Sequence, residues 1–237
     1  MMTITQLKKD LKSLANPKKA GTHQRFFKTG KGEYGEGDIF IGLSMPNLRN
    51  ICKKYTDLSI KDLEELLQSK IHEHRMSALI ILNKKFEKAD IKDKEKIYKI
   101  YMRNYNYINN WDLVDISAPN IPGNWLLDKD KRILYNFAKS KHLWKKRIAI
   151  LSTLTFIKNN NFIDTLKISR ILLHDKHDLT HKAVGWMLRE LGKKDQTVEE
   201  RFLKKYYKIM PRTMLRYAIE RFEEDKRQKY LKGAICG

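Results

Sequence analysis

Apolar residues recur at helical spacing along nearly the whole chain. In "ITQLKKDLKSLA" (4–15), Ile4, Leu7, Leu11 and Leu14 fall on one stripe, with lysines and an aspartate on the other faces. "MPNLRNICKKY" (45–55), "SIKDLEELLQS" (59–69) and "KEKIYKIYMRNY" (94–105) have the same character. "SIKD" places an acid three residues after Ser59, the arrangement of a capping box. No segment alternates in the manner of a half-buried strand. The five prolines leave room for about ten to thirteen helices of ordinary length, so the pattern predicts an all-α chain. The glycine-rich tract "KTGKGEYGEGDIFIG" (28–42) lacks the lysine-then-Ser/Thr ending of a phosphate loop and is expected to be an irregular surface loop between early helices.

The pattern also repeats. "RMSALIIL" begins at Arg75, "WDLVDISA" at Trp111, "RIAILSTL" at Arg147, "KAVGWMLR" at Lys182 and "RYAIERFE" at Arg216, with spacings of 36, 36, 35 and 34 residues. A period of this length in a helical chain predicts stacked helix pairs, a HEAT-like solenoid. Nothing breaks the chain into parts, so a single domain over 1–237 is expected. The register assigns Ala78, Val114, Ile150, Gly185 and Ile219 to a buried column. The first column holds Arg75, Trp111, Arg147, Lys182 and Arg216 and is expected to face solvent or a polyanion, along the concave side where such stacks bind. One turn on lie Leu79, Asp115, Leu151, Trp186 and Glu220. Trp111, Asp115, Arg147 and Trp186 would then share one strip of surface.

Charge sharpens this. The 237 residues carry 49 Lys and Arg against 28 Asp and Glu, a net charge of +21. That balance points to a polyanion, nucleic acid ahead of a membrane surface. The longest aliphatic run, "ALIIL" (78–82), is far too short for a membrane span, and the first residues carry no secretory core. Cys52 and Cys236 are the two cysteines, which argues against a disulfide scaffold and for a reducing, cytoplasmic setting.

In "NNWDLVD" (109–115), Asn110 reads as an N-cap and Asp112 as a first-turn acid favoured by the helix dipole. Asp115 stands a turn further in, in a column otherwise rich in leucine, where a carboxylate is costly without partners or a task. Trp111 and Trp186 interrupt charged or aliphatic columns and could stack on a base or sugar. Trp125 and Trp144 lie outside the columns and read as packing residues. His174, His177 and His181 occur in "LLHDKHDLTHK", which reads as a loop entering a helix near Asp178 rather than a metal site. No nucleophilic triad can be assembled, and no cofactor or metal is called for.

"WDLVD" (111–115), "LWKKRIAIL" (143–151) and "KAVGWMLRE" (182–190) resemble signature segments of the AlkD-type DNA alkylation repair glycosylases. So do "NPKKA" (16–20), "RFFK" (25–28) and "FIGLSMPNLR" (40–49). The resemblance runs from about residue 4 to 222. It implies a HEAT-like fold with a concave, basic DNA-binding face. It also implies hydrolysis of the N-glycosidic bond of cationic N3- and N7-alkylated purines in duplex DNA. Asp115 matches the catalytic aspartate, Trp111 and Trp186 the aromatic residues beside the lesion, and Arg147 an arginine at the same DNA-facing site. Phe26 stands where the family can have a tyrosine, and Lys182 joins the DNA-binding set through its column. Asn110 replaces the first tryptophan of a "WWD" variant. A monomer with no obligatory protein partner is expected. The rival reading is a non-catalytic HEAT-repeat protein that recognises distorted or branched DNA, which would need the basic column but not Asp115.

Overall fold

The computed structural model describes residues 2–235; Cys236 lies outside them. The chain divides after Trp125 into two compact units. Both are helical, and the described residues form no strand beyond an isolated parallel bridge between Ile39 and Ile71.

The first unit contains α1 (Ile4–Ser13), α2 (Pro17–Phe26), α3 (Met45–Cys52), α4 (Ile60–Leu67), α5 (His72–Lys88), α6 (Ile91–Arg103) and α7 (Trp111–Ser117), and runs out in the single turn α8 (Asn124–Leu126). Local chemistry sets the helix starts. Thr3 and Asn16 cap α1 and α2 through their side chains, with Pro17 at the first position of α2. Ser59 and Asp62 form the expected capping box at α4. On α1 the apolar stripe holds at Leu7 and Leu11, both fully buried, whereas Leu14 is the C-cap and stays exposed. The long helix α5 packs against α3, α4 and α7, which is why nearly every residue from His72 to Leu82 is buried. After α7 the chain makes a π-helical turn, Pro119–Gly123, closed by Gly123 N–H donating to the Ala118 carbonyl at 2.8 Å.

Residues 28–42 form turns, as expected, but the tract is not simply a surface loop. Gly35, Asp38, Phe40 and Gly42 are buried. Gly42 has φ +83°, and a Cβ there would stand 2.2 Å from the carbonyl oxygen of Asn16. No other residue type fits both demands. The inward turn is anchored by Glu73, whose buried carboxylate accepts N–H bonds from Ile41, Gly42 and Leu43 at 2.8–3.2 Å.

The second unit contains α9 (Arg132–Ala138), α10 (Leu143–Lys158), α11 (Ile163–Ile171), α12 (Asp178–Gly192), α13 (Gln196–Tyr206), α14 (Arg212–Ala218) and α15 (Glu224–Lys232). Here α12 packs against both α10 and α14. Gly185 brings the backbones of α12 and α14 close together: a Cβ at that position would meet the Met214 carbonyl oxygen at 2.4 Å and the Tyr217 Cβ at 2.5 Å. The expected helix start near Asp178 is present, with His177 as its N-cap. His181 turns instead to the Asp175 carbonyl.

The five repeat segments begin on α5, α7, α10, α12 and α14, each the second helix of a consecutive pair; the last runs on past the end of α14 into a 3-10 turn, Ile219–Arg221. The predicted buried column holds: Ala78, Val114, Ile150 and Ile219 are fully buried, and Gly185 is buried too. The expectation for the first column fails at two places. Arg75 and Arg147 are 3% and 4% exposed, because each guanidinium is committed to protein partners rather than to solvent.

Glu199 on α13 is 2% exposed, and its Oε1 has no hydrogen-bond partner among the described residues. Burial, reinforced by the charge of Glu200, pushes its carboxyl up to about 8. The folded state therefore holds a proton that the unfolded chain has lost, between the ordinary glutamate range and pH 8. Stability should fall as pH rises through that window, with a slope of up to about 1.4 kcal/mol per pH unit. Glu199→Gln should flatten the slope, read as thermal midpoints at pH 5, 6.5 and 8. An unchanged pH dependence would rule out Glu199 as its source.

Candidate functional site

Helix α7 begins as the sequence suggests. The Asn110 side chain accepts the Trp111 N–H at 2.8 Å, and Asp112 Oδ1 accepts the Leu113 N–H at 2.8 Å. Trp111 and Asp115 lie one turn apart on this helix, both partly exposed. Asp115 is close enough to Tyr101 for its charge to act on the phenol. Tyr101 is pushed up first by burial, with Asp115 adding to the shift and a hydrogen bond with Ser117 opposing it.

Around Trp111 the first unit gathers aromatic rings. Phe26, 63% exposed, meets Trp111 edge-on at 6.0 Å. Phe27 stacks on Trp111 at 5.2 Å and on Phe40 at 4.9 Å, and Phe40 stacks on His72 at 4.3 Å. Beside them is a cavity of about 250 Å³, lined by Phe26, Phe27, Phe40, His72, Met76 and Asp112 among others. Phe26 and Trp111 are thus brought together, offering electron-rich faces to a planar or cationic group.

Beneath the rings is a polar cluster that the sequence reading missed. His72 contacts Asp38 Oδ2 through Nδ1 at 3.1 Å and Asp112 Oδ2 through Nε2 at 2.8 Å. Arg75 Nη2 pairs with Asp38 Oδ1 at 2.7 Å, and Asn109 and Asn110 also donate to Asp38. Burial alone would raise the Asp38 carboxyl, but His72, Arg75 and Asn110 outweigh it and hold it below the usual carboxylate range. Asp112 is therefore more than a helix-start acid. The available signal was "HEHR" (72–75), four ionisable residues leading into the longest aliphatic run of the chain, "ALIIL" (78–82).

In the second unit Arg147 Nη1 donates to the Leu179 carbonyl at 2.8 Å, which ties α10 to the first turn of α12. On α12, Lys182 pairs with Asp178 at 2.7 Å. Trp186, one turn further, donates its indole N–H to Glu190 at 3.1 Å. Lys182 and Trp186 thus share a face, set among acids at four-residue spacing. Trp144 is buried and Trp125 stacks on Tyr98 at 5.5 Å, so both are packing residues.

The profile of the DNA alkylation repair enzyme family matches residues 7–222. The chain belongs to that family. Its members are enzymes of alkylation repair, so DNA is the substrate class. Among solved structures, one described as a predicted DNA alkylation repair enzyme from Enterococcus faecalis superposes with a TM-score of 0.69 at 16% identity, covering 89% of this chain and 97% of its own. At that identity it supports the fold alone. No curated protein matches the sequence. No described helix is long and apolar enough to cross a membrane.

Proposed function

We propose that this family member is a monofunctional DNA glycosylase that removes cationic N3- and N7-alkylated purines from duplex DNA. The observation that carries the reading is Asp115, a partly exposed carboxylate one turn beyond Trp111, within the family-matched region. An alkylated purine already carries a positive charge. As the C1′–N bond breaks, the base leaves neutral with the bonding pair, and no general acid is required. Positive charge then develops on the sugar, where a fixed carboxylate stabilises it. Water adds at C1′, and its proton passes to Asp115 or solvent, leaving an abasic hydroxyl. One carboxylate thus suffices where hydrolysis of neutral glycosides needs two.

Trp111 and Phe26 supply aromatic faces for the lesion nucleotide. Lys182 and Trp186 are proposed as further DNA contacts, engaging phosphate and sugar on a concave, HEAT-like basic face. Arg147 enters as a buried positive anchor behind that contact rather than as a freely reaching clamp. The protein is proposed to act as a cytoplasmic monomer.

The test is release of 7-methylguanine and 3-methyladenine from methylated duplex DNA. Time-dependent release of free base is expected, leaving alkali-labile abasic sites. Tight, salt-sensitive binding with no release from any methylated duplex would replace the reading by the non-catalytic one.

A further inference from the structure

The cluster around His72 has a protonation requirement written into its geometry. A neutral imidazole offers one N–H and one lone pair. Here both ring nitrogens face carboxylate oxygens, Asp38 at 3.1 Å and Asp112 at 2.8 Å. Only the doubly protonated ring donates to both. With that proton, His72 and Arg75 balance Asp38 and Asp112. Without it, the cluster carries an uncompensated buried negative charge and turns a lone pair toward a carboxylate, a costly arrangement.

The cluster joins three pieces of chain. Asp38 and Phe40 belong to the glycine-rich tract, His72 and Arg75 to the first turn of α5, and Asn110 and Asp112 to the start of α7. The groups facing His72 are the carboxylates of Asp38 and Asp112, the Arg75 guanidinium, and the rings of Phe40 and Phe27. Phe27 is the ring that stacks on Trp111. The His72 side chain is 3% exposed, and both its nitrogens are engaged by carboxylates, so it acts through its neighbours.

We propose that His72, as an imidazolium, is a positioning residue that clasps the glycine-rich tract to the start of α7 and so fixes Trp111, releasing it when the proton is lost. Burial works against the charge on His72, but Asp112 and Asp38 more than offset this and raise its pKa. The clasp is therefore complete below the ordinary histidine range and persists above it. It opens as pH rises through the raised value. Only the effect on base release rests on the glycosylase reading; the structural effect does not.

The experiment follows nitrogen-15-labelled histidine and 5-fluorotryptophan in the full chain from pH 5.5 to 9.5. Trp111 is assigned with Trp111→Phe. Both His72 nitrogens are expected to be protonated at pH 7, and the Trp111 resonance should shift as they titrate. In His72→Gln the Trp111 resonance should sit at its alkaline position at every pH. Asp112→Asn, which keeps the shape and cap of α7, should move the His72 titration to lower pH, and serves if the glutamine variant does not fold. With methylated DNA, wild-type kcat should fall about tenfold across the titration, and His72→Gln should be low and flat. A singly protonated His72 ring at pH 7 would overturn the proposal. So would a Trp111 resonance that is indifferent to both the titration and the substitutions. Absence of base release, with the spectroscopic coupling intact, would count against the glycosylase reading alone.

Discussion

Asp115→Asn should abolish most base release while leaving the fold and DNA affinity in place. The substitution keeps the shape of the side chain at a partly exposed position and removes only the charge. A fixed charge aimed at a developing one is worth roughly 3–4 kcal/mol, judged from the loss of one donor in an oxyanion site, so single-turnover rates should drop about 100- to 1,000-fold. The loss should lie in the chemical step. Dissociation constants for methylated duplex should change by no more than about threefold, since repulsion between Asp115 and DNA phosphates is relieved. Measuring release under enzyme excess separates this from slow product dissociation. Release within about threefold of wild type would remove Asp115 from the mechanism.

Glu73→Ala should be the most damaging single truncation in the first unit. Glu73 is 3% exposed, and its carboxylate accepts the N–H groups of Ile41, Gly42 and Leu43. These donors lie in a turn that has no helix to satisfy them. Leaving them unpartnered in the interior should cost about 3–5 kcal/mol, lowering the thermal midpoint by about 10 °C. Glu73→Gln keeps one acceptor oxygen and should recover part of the loss. A decrease below 1 kcal/mol for the alanine variant would mean that water replaces the carboxylate and that the tract is not anchored as described.

The helices, their caps and the buried column were legible because each rests on local chemistry. Asn110 can cap α7, and Ser59 can box with Asp62, whatever the rest of the chain does. Val114 and Ile150 are apolar at the right period and are buried accordingly. What could not be read is which charges pair across distance. Arg75 and Arg147 looked like members of an outward basic column, yet one pairs with Asp38, 37 residues earlier, and the other with Leu179, 32 residues later. Such partners are set by how helices pack, and no periodicity encodes them. The same holds for His72, whose two carboxylates come from the glycine-rich tract and from α7. The pairing of Phe26 with Trp111 is of this kind too, joining the end of α2 to the start of α7.

The bare backbone at Gly185 has a mechanical consequence. With α14 seated directly on that position, Gly185 contributes no side chain that could rearrange there and absorb a displacement. A push on the neighbouring Trp186 is then carried into α14 as into a stiff plate. Under the proposed reading, the deformation needed to expose a lesion falls on the softer partner, the DNA.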